Sequence, residues 1–375
     1  MNPRMRSLPF TLFVVMLTAA GCAGRNGASG MPPAGTNVTA MSDSATTPDS
    51  VLRRLKKKMV IGSTIDPKFG QLNPYGLDVA RSTAGKFTKG DLAVCNFNAK
   101  SNVQGTGFTI VALHPVPGST PTLVYASKKV LEGCDALALS PSGDFIWAAD
   151  FVANDNPIID PTGKLVMNIK GKPLDRPFGQ AFAQPKSGDT AFYESNAGDG
   201  KIIRFDVVKN TEQVVAKGFK INHGKPGSIL GPSGLQYDSK KDTLYVVDGA
   251  NNAVYALVNV TQIPDDCLTL ENDAMHFTGC NAASARVVYS GKPLNGPISS
   301  ALLYNGNLVI GNTLDPDGKN LMIELTPSGK VLDVKNVDKG AAGSLFGMVA
   351  TGTTAADTKL YFNDDNHNNL QVLQP

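Results

Sequence analysis

The chain has a single tryptophan among its 375 residues, four histidines, five cysteines and no long apolar run. Each shortage removes a class of function. The longest apolar stretch, Leu8–Leu17, falls well short of the roughly 20 residues that a spanning helix needs. His114, His223, His276 and His367 are scattered, with no HExxH or Cys-x-x-Cys context, so no metal centre of the zinc type is expected. No Gly-x-Ser-x-Gly elbow is present to carry a nucleophilic serine. Glycine clusters such as Gly198–Gly200 fall in hairpin turns rather than ahead of helices, which excludes phosphate loops.

Positive charge is also scarce where a polyanion would need it. Residues 1–58 hold eight of the 35 Lys and Arg but two of the 32 Asp and Glu. That leaves 27 basic and 30 acidic groups in residues 59–375, a net charge of −3. A mildly acidic domain lacks the electrostatic footprint for a phosphate backbone, and no nucleic-acid partner is expected.

What is present begins at the N-terminus. Arg4 and Arg6 precede the apolar run Leu8–Leu17, and Ala19-Ala20-Gly21-Cys22 follows it. This order resembles a bacterial lipoprotein signal, residues 1–21, with Cys22 as the lipidated first residue of the mature chain. The other reading is an ordinary secretory signal cleaved near Ala20; both export the folded part. Ala23 after Cys22, rather than Asp, leans toward the outer membrane by analogy with enterobacterial sorting. Residues 22–50 are dominated by Gly, Ala, Ser, Thr, Pro and Asn and read as a flexible tether about 30 Å in reach. The basic cluster Arg53, Arg54, Lys56, Lys57 and Lys58 is either a contact to anionic headgroups or a solvated lead-in to the first strand.

From residue 51 to 375 a unit recurs six times. A Pro-x-Gly-like turn and a short apolar strand lead through a polar turn to a β-rich strand ending in Asp or Asn. Pro74-Tyr75-Gly76-Leu77 leads to Leu92–Asn96, Cys134-Asp135-Ala136-Leu137 to Ile146–Asp150, and Pro177-Phe178-Gly179 to Ala191–Ser195. Pro232-Ser233-Gly234-Leu235 leads to Leu244–Asp248, Pro297-Ile298-Ser299 to Leu308–Asn312, and Leu345-Phe346-Gly347 to Leu360–Asp364. The polar end column falls at 96, 150, 195, 248, 312 and 364. Third strands are expected at Gly107–Leu113, Lys201–Val207, Ala253–Val258, Asn320–Leu325 and Asn369–Leu373. Fourth strands are expected at Leu123–Ala126, Lys164–Ile169, Gln213–Ala216, Ala285–Tyr289 and Val331–Val334.

Short strands at this period predict an all-β fold, a six-bladed β-propeller. The sixth unit runs out after three strands, and Met59–Ser63 is expected to complete it and close the ring. A seventh blade would have to hide in 209–230 or 259–284. The recurrent aromatics Trp147, Phe192, Tyr245 and Tyr361 read as packing between blades.

The run Gly231-Pro-Ser-Gly-Leu, followed by Asp242-Thr-Leu-Tyr-Val-Val-Asp-Gly-Ala-Asn-Asn-Ala-Val-Tyr, resembles an NHL-type propeller repeat. The likeness covers residues 59–375, is specific in the fourth unit, and implies fold more than activity, because propellers host unrelated functions. A quinoprotein propeller would be expected to show recurrent tryptophan docking motifs, which a lone Trp147 does not supply.

Four cysteines remain beyond Cys22, and three pairings are open. Cys267–Cys280 is favoured, closing a short loop at roughly 3 kcal/mol. Cys95–Cys134 is expected as a staple between the first two blades, the other reading being two buried free thiols.

The candidate site is one mouth of the central channel, where the polar column would gather Asn96, Asp135, Asp150, Glu194, Ser195, Asp248, Asn312, Asn363 and Asp364. Such a ring is a hard-oxygen set for Ca²⁺ or a small polar ligand. Its structural use is turn capping, which six-fold recurrence favours. Calcium-dependent lactonases of the gluconolactonase family place ligands in the turn entering a blade. Here those positions are Tyr75, Asp135, Phe178, Ser233, Ile298 and Phe346, of which Asp135 alone suits a hard cation; Asp150, Glu194 and Asp248 offer a non-homologous alternative. Two long loops, 218–230 near the mouth and 260–284 on the opposite face, are further binding devices. The expected function is a lipid-anchored binding or interaction module of the cell envelope, without a required cofactor. Its partner would be an envelope protein or a small polar ligand, and it would meet the membrane through the lipid on Cys22. The alternative is a Ca²⁺-dependent hydrolase.

Overall fold

A computed structural model describes residues 49–186 and 189–375. The expected signal, Cys22 and nearly all of the tether lie outside the described residues. Six sheets form the blades of a β-propeller, each built on four antiparallel strands. Blade 1 is Leu72–Val79, Leu92–Asn98, Thr109–Leu113 and Thr122–Ala126; blade 2 is Cys134–Leu139, Ile146–Asp150, Asp155–Ile159 and Leu165–Lys170. Blade 3 is Pro177–Ala183, Ala191–Asn196, Lys201–Asp206 and Thr211–Lys217; blade 4 is Pro232–Asp238, Thr243–Asp248, Ala253–Val258 and Ala285–Ser290. Blade 5 is Pro297–Leu302, Leu308–Asn312, Asn320–Leu325 and Val331–Asp338. Blade 6 takes Met348–Thr351, Lys359–Asp364 and Asn369–Gln374 from the C-terminus and Lys57–Ser63 from the N-terminal side. Among the described residues there is no seventh blade.

The first strand of every blade touches its neighbours around the ring, so these six strands wall the channel. Glycine in the Pro-x-Gly turn permits that approach: a Cβ on Gly76 would lie 2.6 Å from the Leu137 nitrogen of blade 2. Outside this wall, apolar side chains from facing blades interlock. Trp147 of blade 2 meets Phe182, Phe192 and Phe205 of blade 3, with ring centroids 4.5–6.4 Å apart. The ring closes where Lys57–Ser63 pairs antiparallel with Asn369–Gln374, so no outer edge of blade 6 is left to the short C-terminal strands alone. The Asn363 amide also donates to the Tyr75 carbonyl at 3.0 Å, joining blade 6 to blade 1.

The chain enters at the end of the propeller opposite the turn at 364–369, because Lys57 faces Gln374 and Ser63 faces Asn369. The fold starts earlier than residue 51. Buried Ser50 caps a one-turn helix, Val51–Arg54, whose Val51 and Leu52 are buried between blades 5 and 6. The helix is held by a carboxylate from the blade wall. Fully buried Glu324 accepts from Ser50 Oγ at 2.6 Å, Leu52 N–H at 2.8 Å, Val51 N–H at 3.3 Å and the Asn307 amide at 2.8 Å. Part of the basic cluster is thus docked rather than free: Lys58 donates to the Val337 carbonyl at 2.7 Å and Arg53 to that of Leu332 at 2.7 Å.

Two expectations need correction. The segment 260–284 does not hang from the face away from the mouth. Leu268–Leu270 pairs parallel with the outer strand of blade 3, and Phe277–Thr278 pairs with it in turn, extending that sheet to six strands. Leu268 and Leu270 are buried there against Ala216 and Phe219, which supplies the apolar reason for docking. The Cys267–Cys280 disulfide closes this extension. Cys95 and Cys134, in contrast, are free and buried. The Cys95 sulfur is turned to the Cys134 carbonyl, 3.0 Å away, so it fills the space between blades 1 and 2 as a small apolar group instead of bonding to the other sulfur.

Candidate functional site in the central channel

The mouth at which the second strands end is closed. Tyr75, Phe97, Phe151, Phe178, Ile298 and Phe346 converge there into a buried or part-buried apolar plug. Tyr75 stacks on Phe97 and Phe346 with ring centroids 4.2 and 3.5 Å apart. Over the plug lies the loop 218–231, with Ile229 buried in the same cluster. The Arg176 guanidinium donates to its Gly224 carbonyl at 3.2 Å. On the far side of the ring, Pro226 packs so close to Gly105 that a Cβ there would be 3.2 Å from it.

The nine mouth residues singled out from the sequence are all buried and do not ring an open cup. Asp150 accepts from Glu132 N–H at 2.9 Å, and Asp248 from Ala250 N–H at 2.9 Å and Asn251 N–H at 3.1 Å. Asn312 accepts from Asn295 N–H and donates to the Pro293 carbonyl; Asn96 donates to the Thr64 carbonyl and Thr109 Oγ1. Asp364 accepts from the Gln371 amide and pairs with exposed His367 at 3.0 Å. Glu194 sits inside the wall between blades 2 and 3, accepting from Asn156 at 2.8 Å and Gln180 at 3.2 Å. Of the further members, Ser195 donates to the Ser233 carbonyl of blade 4 at 2.9 Å.

Burial sets the titration of these acids. It pushes Glu194 up to about 8 against the opposing amide bonds. It also pushes Asp150 up to about 8, with nearby Asp155 adding repulsion, and Asp248 to about 6.

Asp135 differs from all of them. It is 5% exposed, and neither carboxylate oxygen has a hydrogen-bond partner among the described residues. Burial alone drives its carboxyl well above the usual carboxylate range. The residue is the second of the inner strand of blade 2 and lines the channel just beneath the aromatic plug. The channel is a narrow cavity of about 80 Å³, lined on one side by Leu77, Leu137 and Met348 and on the other by Gln180, Gln236, Ser299 and Ser300. The polar half was missed in the sequence. Its one signal is that blades 3 and 5 place Gln180 and Ser300 two residues after the channel-facing turn position, where blades 1, 2, 4 and 6 place Leu77, Leu137, Leu235 and Met348; blade 4 adds Gln236 one residue later.

Among the described residues, two acids and a histidine also converge. Ligand atoms of Asp338, Asp364 and His367 lie within 4.8 Å of one another at the junction of blades 5 and 6. They are engaged internally: Asp338 accepts from Ser344, Asn366 and Gly340 N–H, and Asp364 from His367 and Gln371.

No family model matches this chain, and no curated protein matches it. Solved structures do. An aldose sugar dehydrogenase from Streptomyces coelicolor, in its PQQ-bound form, superposes with a TM-score of 0.54 at 17% identity, covering 85% of this chain and 98% of that one. A chain of the nidogen/laminin complex gives 0.53 at 16% identity, covering 76% and 87%. A candidate gluconolactonase gives 0.53 at 13% identity, covering 85% and 91%. Likeness at these identities fixes architecture and leaves chemistry open, since a binding protein and enzymes share it. The chain is a six-bladed β-propeller.

Proposed function

We propose that this chain is an exported, lipid-anchored, NHL-like propeller that serves as a binding module of the bacterial cell envelope. The observation that carries this reading is the fate of the acids. Asp150, Glu194, Asp248 and Asp364 each have their oxygens engaged by the turn or wall around them, and the mouth above is filled by aromatic rings. A Ca²⁺-dependent hydrolase needs several such oxygens converging on one ion, typically 6–8 ligands. Asp135 is the one acid of the ring with unengaged oxygens. Export and anchoring rest on the signal-like order through Ala19-Ala20-Gly21-Cys22. Entry of the chain at the face opposite the plugged mouth suits a tether that turns that face toward the membrane, with Arg54, Lys56 and Lys57 exposed beside it.

Metal analysis and thermal melting of the chain in Ca²⁺ and in chelator test the choice between module and hydrolase. The expected result is no bound Ca²⁺ and coincident melts; one Ca²⁺ per chain with a large loss of melting temperature on chelation would establish the hydrolase alternative. Membrane fractionation tests the anchor: Cys22→Ser should move the protein from the membrane to the soluble fraction.

A further inference from the structure

Resting on the binding-module reading, we infer that the central channel takes up a small primary alkylammonium ion, with Asp135 as its counter-ion. The channel offers one sign of charge. Among the described residues, Asp135 is its one ionisable carboxylate, and no Lys, Arg or His lines it. Asp135 Oδ1 and Oδ2 are buried without a protein partner among the described residues, as are Gln180 Oε1 and Ser300 Oγ of the polar half. An ammonium group supplies three donors to such a surface. The rings of Tyr75, Phe178 and Phe346 close the channel beyond Asp135 and present aromatic surface to a cation.

Size and shape select within the cations. About 80 Å³ suits a group of a few heavy atoms, with Leu77, Leu137 and Met348 as an apolar track for a short alkyl chain. A divalent metal is disfavoured, because the other acids of the ring are engaged elsewhere, Glu194 by Asn156 and Gln180 and Asp150 by Glu132 N–H. An anion finds no positive partner. Uptake is balanced by protons: burial favours the neutral carboxyl in the free protein, so pairing with RNH₃⁺ ionises Asp135 and releases its proton to solvent.

Isothermal titration of the full-length Cys22→Ser chain with n-butylammonium, n-butanol and Ca²⁺ separates the outcomes. Binding of n-butylammonium is expected, with proton release visible as a dependence on buffer ionisation enthalpy. Asp135→Asn should weaken it at least about ten-fold, the order expected for losing a buried ion-pair partner, while melting as a folded protein; Asp135→Ser is the second variant should Asn fail to fold. Equal affinity for n-butanol would reduce the channel to an apolar cleft and overturn the inference. Ca²⁺ binding lost in Asp135→Asn would overturn both this inference and the non-catalytic reading. No binding by any probe would overturn this inference alone and leave the module reading standing.

Discussion

Glu324 and Asp135 are both acids buried in the propeller, yet they are embedded in opposite ways. Glu324 is surrounded by donors, four of them, and fastens the N-terminal helix turn onto blade 5. Asp135 has no donor among the described residues and lines a cavity. A buried polar group with its partners supplied is part of the scaffold; one without them costs stability that a single folded state does not recover. The difference separates a structural acid from a candidate binding acid without reference to where either lies in the repeat.

The comparison can be broken first at the latch. Glu324→Ala leaves Ser50, Val51, Leu52 and Asn307 with unanswered donors and should destabilise the fold by about 3 kcal/mol, read as a shift in urea midpoint. A change below about 0.5 kcal/mol would mean that the helix turn is held by Val51, Leu52 and Leu55 alone. Intermediate acids sharpen it next. Glu194 and Asp150 have folded values of about 8, raised above their unfolded ones by burial. Their contribution is fully present below about pH 4 and is lost as pH rises toward 8, so stability should fall by several kcal/mol across that window. Glu194→Gln should flatten the slope of melting temperature against pH; an unchanged slope assigns the loss to other groups. The smallest effect is at Asp135. Replacing an unpartnered acid by a neutral isostere should be neutral or stabilising, by up to about 1 kcal/mol at neutral pH.

Much of this architecture is legible in the residues. The end column at Asp150, Asp248, Asn312 and Asp364 coincides with the ends of second strands, and the closing strand and the Cys267–Cys280 bridge lie where spacing puts them. Local patterns suffice for these because strand period and turn chemistry are local. Asp155–Ile159 hides because Asp-Asn-Pro reads as a turn; Asn156 instead reaches across to Glu194. The latch, the plug and the added strands of blade 3 depend on partners far away in sequence, as Ser50 and Glu324 do, and no window of residues carries them. Asp135 was visible as an exception in the turn column, whereas its lack of partners emerges from packing alone.

Paired thermal melts at pH 7 of Glu324→Gln and Asp135→Asn test the central distinction most directly. The two changes are chemically the same: each replaces a buried carboxyl group by a carboxamide of the same shape. The account predicts opposite signs, a lower melting temperature for Glu324→Gln and an equal or higher one for Asp135→Asn. A clear loss of melting temperature in Asp135→Asn, matching that of Glu324→Gln, would contradict it and make Asp135 one more structural acid.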